Sequence, residues 1–439
     1  MSGPEIRDKM ETAASNGSAE VLSPPHSSDA APKSSVSVPK DGGLEAWCTL
    51  LGAWLILIAT FGYTSAFGVY QDFYTRSGVT STSRISWIGS TQLFLMLFIS
   101  VPAGKLLDAG YFRQTTAFGS ALYVFSLFML SLAHPDRYYQ IFLSQGLGMG
   151  IGAGLIYVPA LAVQAHHWRR RRPLAMGLAI TGSSVGGIFF SIMLNQLLFH
   201  RGISFAWAVR NSAFVVLGLL VAANILMRDR PEVTRTSAPK PDIGALFKDI
   251  PYVVAILSAF LIDWGLFFPY FYLQLFAIIH GVDANVAFYM LAVLNGASIP
   301  GRILFNGLSP RFGVFNFLIF TGIACAVLIF AMFGVSSVAG VAVLSVLYGF
   351  FSGAFLSLLT PAVAVLSKHE GEIGTRVGIA YGLSCLGTLT GTPVDGALLG
   401  DTFPWWRAIV FSGVMTIAGI LLMLVTRQYL TQRKNTQFV

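Results

Sequence analysis

From Trp47 onward the chain repeats one unit, an apolar run of about 20 residues closed by a short polar break. A helix rises 1.5 Å per residue, so a run of that length crosses the ~30 Å hydrocarbon core of a bilayer. The runs lie at roughly 47–70, 85–107, 114–133, 139–163, 173–198 and 206–227, and again at roughly 251–279, 285–308, 313–333, 338–366, 375–399 and 405–427. This predicts an all-α membrane protein with twelve transmembrane helices. Composition agrees, because only 11% of the residues are charged, whereas soluble domains carry roughly 25%. So few charges cannot cover a water-facing surface of this size, which excludes a large soluble enzyme, a disordered scaffold and a collagen-like chain. The 45 glycines and 35 phenylalanines suit helices that are greasy outside and closely packed inside.

Residues 1–40 are rich in Ser, Pro and Ala without an apolar segment, and read as a disordered cytoplasmic tail, not a signal peptide. The longest internal polar stretch, 228–250, is a cytoplasmic linker between helical halves at 41–227 and 251–427, and 428–439 is a short cytoplasmic tail. With both termini inside, 21 Lys and Arg residues fall on inner segments and 6 on outer ones, a positive-inside asymmetry. The net charge of +8 therefore belongs to membrane topology, and nucleic acid is not expected. His166 and His167 beside Arg169 to Arg172 point to anchoring at anionic lipid, since adjacent histidines diverge on a helix. Cys48, Cys325 and Cys385 have no metal-ligand spacing, so neither a disulfide, a metal nor a cofactor is expected.

The halves echo each other. Gly148, Gly152, Ala153 and Pro159 of span 4 recur as Gly349, Gly353, Ala354 and Pro361 of span 10. Gly177, Ala179, Ser183 and Gly186 of span 5 recur as Gly378, Ala380, Ser384 and Gly387 of span 11. Glycines at such spacing, Gly182 among them, make flat ridges along which helices pack and slide. Between spans 2 and 3 runs Gly104-Lys-Leu-Leu-Asp108-Ala-Gly110-Tyr-Phe-Arg113, in which Asp108 is placed to cap a helix N-terminus and Arg113 to bridge to the neighbouring span. The corresponding loop after span 8, Gly301-Arg302 through Ser309-Pro310-Arg311-Phe312-Gly313, has Pro310 at the acidic position.

Two six-helix pseudo-repeats with this loop resemble the major facilitator superfamily, whose loop signature acts as a conformational latch; Ala109 stands where that family has Arg. The Gly-Leu-Gly-rich span 4 with Arg-Arg-x-Leu-Ala-x-Gly is similar to the monocarboxylate porter family, fungal branch. So are Asp41-Gly42-Gly43-x-x-Ala46-Trp47, Asn295-x-x-Ser298-x-x-Gly301-Arg302, Gly374-Thr375-Arg376-x-Gly378 and Gly391-Thr392-Pro393. The resemblance covers the chain from about Asp41 to span 12. It implies alternating access around a central cavity lined by spans 1, 4, 7 and 10. The lysine in span 1 and the aspartate four residues before the span 8 arginine, which couple protons to lactate in animal members, are both absent; Ser298 stands at the second position.

Charge inside a span costs roughly 2.5–3.5 kcal/mol at its centre and usually has a functional partner. Asp263 in span 7 and Arg302 in span 8 are the deep cases. Asp263 is the candidate proton-responsive group, and Arg302 either pairs with it or receives an anionic substrate group. Gln145, Tyr157, Asn295, Gln274, Tyr63 and Trp264 complete an aromatic, polar cavity suited to an amphipathic organic molecule. The reading is a secondary active or facilitative transporter of an organic acid or related metabolite, an exporter in one version and proton-coupled in one. It is expected to work as a monomer in the plasma membrane, or a vacuolar or other internal one. No Gly-x-x-x-x-Gly-Lys-[Ser/Thr] loop is present to power a primary pump. The rivals are a non-transporting receptor or sensor and a membrane-embedded transferase. The transferase lacks the clustered acids a metal-bound diphosphate needs, so an enzyme is not expected.

Overall fold

The computed structural model describes residues 42–77, 82–134, 137–229, 243–369, 372–399 and 404–439. The expected tail at 1–40 and the middle of the expected linker, 230–242, lie outside them. Among the described residues all regular structure is helical. Eleven helices are long and apolar enough to cross a membrane. They are α1 Leu44–Tyr74, α2 Trp87–Asp108, α3 Phe112–Leu132, α4 Tyr138–His167, α5 Arg172–Phe199, α6 Phe205–Leu226, α7 Ile250–Ile279, α8 Val286–Phe312, α9 Val314–Gly334, α10 Val338–Leu366 and α12 Trp405–Lys434. Between the last two lies α11, Ile373–Leu399. It is equally long, but Arg376, Asp395 and its many Gly and Thr residues make it less apolar than the rest.

Two boundaries differ from the sequence expectation. α8 continues through Pro310 to Phe312, so the expected loop shrinks to Gly313, whose φ of 91° makes the turn. α12 continues to Lys434 because Leu430 on its extension is buried in the core, and the stretch expected as tail is helix up to that point.

Two buried apolar clusters organise the helices, one built on α1 to α6 and one on α7 to α12, the first also taking in Ile373, Val377 and Cys385 of α11. Large apolar side chains left exposed concentrate on α3 (Phe118, Phe125), α6 (Phe214, Ile225), α9 (Phe320, Val327) and α12 (Val414, Leu421), which are the faces available to lipid. Two helices are interrupted. α1 loosens into a π turn at Ile58–Gly62 and bends at Ala66. α7 breaks at Phe267, ahead of Pro269, and Tyr348 of α10 donates to the Leu266 carbonyl at 2.5 Å.

The ridge glycines mark where helices touch most closely. Gly186 faces Ile58 and Gly62 of α1, and Gly182 faces Trp54 of the same helix. Gly387 faces Phe260 and Asp263 of α7, the matching pair of helices in the second half. Gly177 instead meets Asn306 of α8, and Gly378 meets Ser100 of α2, so these two lie where the halves touch. Within α4 the equivalence with α10 is shifted by two residues from the sequence reading. Gly148 and Gly152 pack on Ser126 and Tyr123 of α3, whereas Gly349 and Gly353 pack on α8; the residues that meet α2 in the same way are Gly150 and Gly154.

Candidate functional site

Several polar segments that join the helices meet at one end of the bundle. Asp108 at the end of α2 reaches the start of α11, Asp249 at the start of α7 reaches Arg376, and Trp47 stacks edge-on against Trp168 after α4. His167 contacts the Arg228 carbonyl after α6 at 2.8 Å. We refer to this as the basic end, since Arg113, Arg169 to Arg172, Lys368 and Arg376 all lie there.

At that end the halves are joined by a built contact. Asp108 Oδ1 accepts from Gly374 N at 3.0 Å and Oδ2 from Thr375 N at 2.6 Å, so its carboxylate caps the N-terminus of α11, where the helix dipole favours negative charge. The caps close only because Gly104 and Gly374 let the two backbones meet; a Cβ at Gly374 stands 2.7 Å from the Gly104 carbonyl oxygen. Gly110 supplies the turn after Asp108 with a φ of 83°. Arg113 and Arg311, expected to take part, are exposed, and their side chains make no hydrogen bond or ion pair among the described residues. The cation behind the contact is one that sequence reasoning passed over. Arg376, one turn into α11, is 1% exposed, pairs with Asp249 Oδ2 at 2.9 Å and Glu372 Oε1 at 3.1 Å, and lies 5.0 Å over the Tyr252 ring. Tyr252 in turn donates to the Arg376 carbonyl at 2.7 Å. The signal available was an arginine two residues after the glycine of a family motif; its partner is 127 positions away.

A second seam joins α5 to α8. Ser184 and Ser298 hydroxyls meet at 2.6 Å, and Arg302 Nη1 donates to the Ile180 carbonyl and to Ser183 Oγ, each at 2.5 Å. Arg302 is thus held by the opposite half. The ion pair with Asp263 does not form. Asp263 faces α11 instead, with Ser384 as its hydrogen-bonding neighbour and Gly387 close against its Cβ. The reason is helical phase, since Asp263 and Arg302 project from α7 and α8 towards different neighbours. No carboxylate among the described residues acts on Arg302, which is 4% exposed and has its Nε without a partner. Three tyrosines lie within electrostatic reach of it, Tyr157 of α4, Tyr270 of α7 and Tyr381 of α11.

The other candidates divide. Tyr157 stacks on Phe61 of α1 at 5.9 Å and meets Tyr381 edge-on at 6.4 Å, which places it between the halves beside Arg302. Asn295 lies on the α5 to α8 seam opposite Gly187, its amide turned to the Leu291 carbonyl. Gln145 does not reach this centre. It accepts from Tyr74 at 2.9 Å, both fully buried within the first half. Tyr63 is likewise a strut of that half, its hydroxyl shared with Tyr70 at 2.5 Å and Ser212 of α6 at 2.8 Å. Trp264 donates to Thr390 at 2.7 Å and lies against Phe411, and Gln274 is half-buried with no hydrogen bond among the described residues. The residues brought together are therefore Arg302, Tyr157, Tyr270, Tyr381, Ser183 and Phe61. Tyr381, which also meets Thr360 at 2.9 Å, was not among the expected site residues. The groups of His, Cys, Asp and Glu needed to hold a metal are not found among the described residues.

The sequence profile described as Major Facilitator Superfamily matches residues 46–342. The aspyridones efflux protein apdF of Emericella nidulans is 37% identical over 394 residues, covering 89% of this chain and 80% of that protein. The agnestins efflux protein AgnL12 of Paecilomyces divaricatus is 36% identical over 380 residues, 86% of each chain. Among solved structures, the transporter FucP in the outward conformation superposes with a TM-score of 0.68 at 16% identity, over 86% of this chain and 98% of that one.

Proposed function

The chain belongs to the Major Facilitator Superfamily and is a multi-pass membrane transporter, and on that premise we propose that it exports an anionic, amphipathic organic metabolite by alternating access. The observation that carries the substrate class is Arg302, a buried guanidinium without a carboxylate among the described residues, within electrostatic reach of three tyrosines and held by one carbonyl and one hydroxyl. An anionic group of the substrate competes for that guanidinium with Ile180 and Ser183, and the tyrosine and phenylalanine rings take the apolar body. Relatives named as efflux proteins for aspyridones and agnestins support the exporting direction and an organic cargo. Within the superfamily the reading places the chain on the monocarboxylate porter branch, acting as a transporter and not as an enzyme.

In this reading the halves 41–227 and 251–427 rock about the two seams, with 228–250 linking them on the cytoplasmic side. The basic end faces the cytoplasm, both termini included, and the Asp108 cap holds that end shut while the cavity opens outward. The plasma membrane, a monomeric state and coupling to protons through Asp263 belong to the same proposal. The test is flux in reconstituted vesicles loaded with a panel of labelled organic acids and neutral analogues. Arg302-dependent efflux of acids over their neutral analogues supports the proposal; flux indifferent to substrate charge, or none above empty vesicles, overturns it.

A further inference from the structure

The second half buries another acid, one to which no role has been given. Asp395 lies one turn inside the end of α11 that is opposite the basic end, and it is 0% exposed. Ser412 of α12 donates to its Oδ1 at 3.0 Å, while Oδ2 is buried with no hydrogen-bond partner among the described residues. Ser412 is the hydroxyl bonded to it, and the hydroxyls of Tyr272 on α7 and Tyr348 on α10 lie within electrostatic reach. Lys, Arg and His do not act on it among the described residues, and Arg407 of α12 is exposed over Trp406. A buried carboxylate with a single donor and no cation is strongly disfavoured by desolvation, whereas the neutral acid leaves only one polar atom unsatisfied.

The surroundings connect this carboxyl to the break in α7. Ser412 also carries the closest approach of Gly265 in α7, and Tyr348 donates to the carbonyl of Leu266 at the α7 break. Tyr272 sits on the segment beyond that break, its hydroxyl 2.9 Å from where a Cβ on Gly396 would stand. Ser412 and Tyr348 thus touch α7 at its break, and Tyr272 belongs to the segment beyond it.

We propose that Asp395 is a proton-binding site, loaded from the side opposite the basic end, whose occupancy sets the angle of α7 at Phe267 and so couples protons to transport. Loading is a single proton transfer from water to the carboxylate when that end opens. Unloading returns the proton when α7 straightens and the site meets water again. The proposal builds on the transport reading and adds a group that reading leaves out.

The test begins with infrared difference spectroscopy of the full-length protein in lipid vesicles at neutral pH. A protonated carboxyl C=O band is expected in the native protein, with a component that is lost in Asp395→Asn and still present in Asp263→Asn. An unchanged band in Asp395→Asn overturns the proposal. If Asp395→Asn does not fold, Ser412→Ala takes its place: removing the donor to Oδ1 shifts the band, and a band that stays in place overturns the proposal. Flux supplies the second arm, in which an imposed pH gradient accelerates transport in the native protein and ceases to do so in Asp395→Asn; acceleration that persists overturns the coupling role. Absence of flux in the native protein with every acid tested counts against the transport reading, while the infrared result still decides the proton site.

Discussion

Two buried residues illustrate how different polar groups inside this bundle can be. Arg302 has two partners, both on the opposite half and both neutral, so its charge is solvated but not neutralised. Removing it takes away the group that receives an anion, and a hydrogen bond to a charged group is worth about 1.5–3 kcal/mol. Arg302→Gln is therefore expected to lower efflux of an acidic substrate about 10- to 100-fold through KM, with Arg302→Lys a poor rescue because ammonium lacks the planar fork. Initial rates over a concentration series read this out, and an unchanged KM counts against it. Tyr63 makes the opposite prediction. Its hydroxyl joins α1 to α6 and does not face the centre, so Tyr63→Phe lowers stability by about 1 kcal/mol and leaves KM alone. Thermal unfolding in detergent alongside flux separates the two, and a raised KM would return Tyr63 to the cavity.

Among the helices, the glycines divide by what they press against. Gly152 meets the backbone of Tyr123 inside the first half, where a Cβ stands 2.7 Å from the Tyr123 nitrogen. Gly378 meets Ser100 across the seam between α2 and α11, which has to open and close in alternating access. Gly152→Leu is expected to cost about 1–3 kcal/mol of stability by overpacking, while Gly378→Leu, with its Cβ 2.4 Å from the Ser100 carbonyl oxygen, relieves the clash by opening the seam, so it costs less stability and slows transport. Parallel unfolding and flux assays check both; equal losses of stability remove the distinction. The spans themselves were legible because lipid imposes a length, and each expected run matches a helix to within a few residues apart from the extensions of α8 and α12. Which way a side chain points was not. Tyr63 and Tyr157 look alike in sequence, yet one is directed to Ser212 of α6 and the other to Tyr381 of α11. The difference depends on helix neighbours that periodicity alone does not supply. Arg376 was hidden for the same reason, its partner Asp249 lying at the start of another helix.

For the whole molecule, the hydrogen bonds that cross between the halves, Asp108 to Gly374 and Thr375, Arg302 to Ile180 and Ser183, and Ser184 to Ser298, fix the conformation seen. The first of these lies at the basic end and joins the tip of α2 to the tip of α11, so it acts on the longest lever arm. A carboxylate at a partly buried helix N-terminus is worth up to about 2 kcal/mol. Asp108→Asn keeps one acceptor and gives up the charge, so about half of that is lost. A loss of about 1 kcal/mol moves the balance between closed and open basic ends about fivefold towards open. Arg113 and Arg311 are suitable reporters because both are exposed and make no contact that the substitution would disturb. With spin labels at these two positions in a cysteine-free background, Asp108→Asn is expected to raise the population at long separation, and Asp108→Ala to raise it further. Identical distance distributions in all three proteins would mean that the α11 cap does not hold the end shut, leaving the α5 to α8 seam to do so.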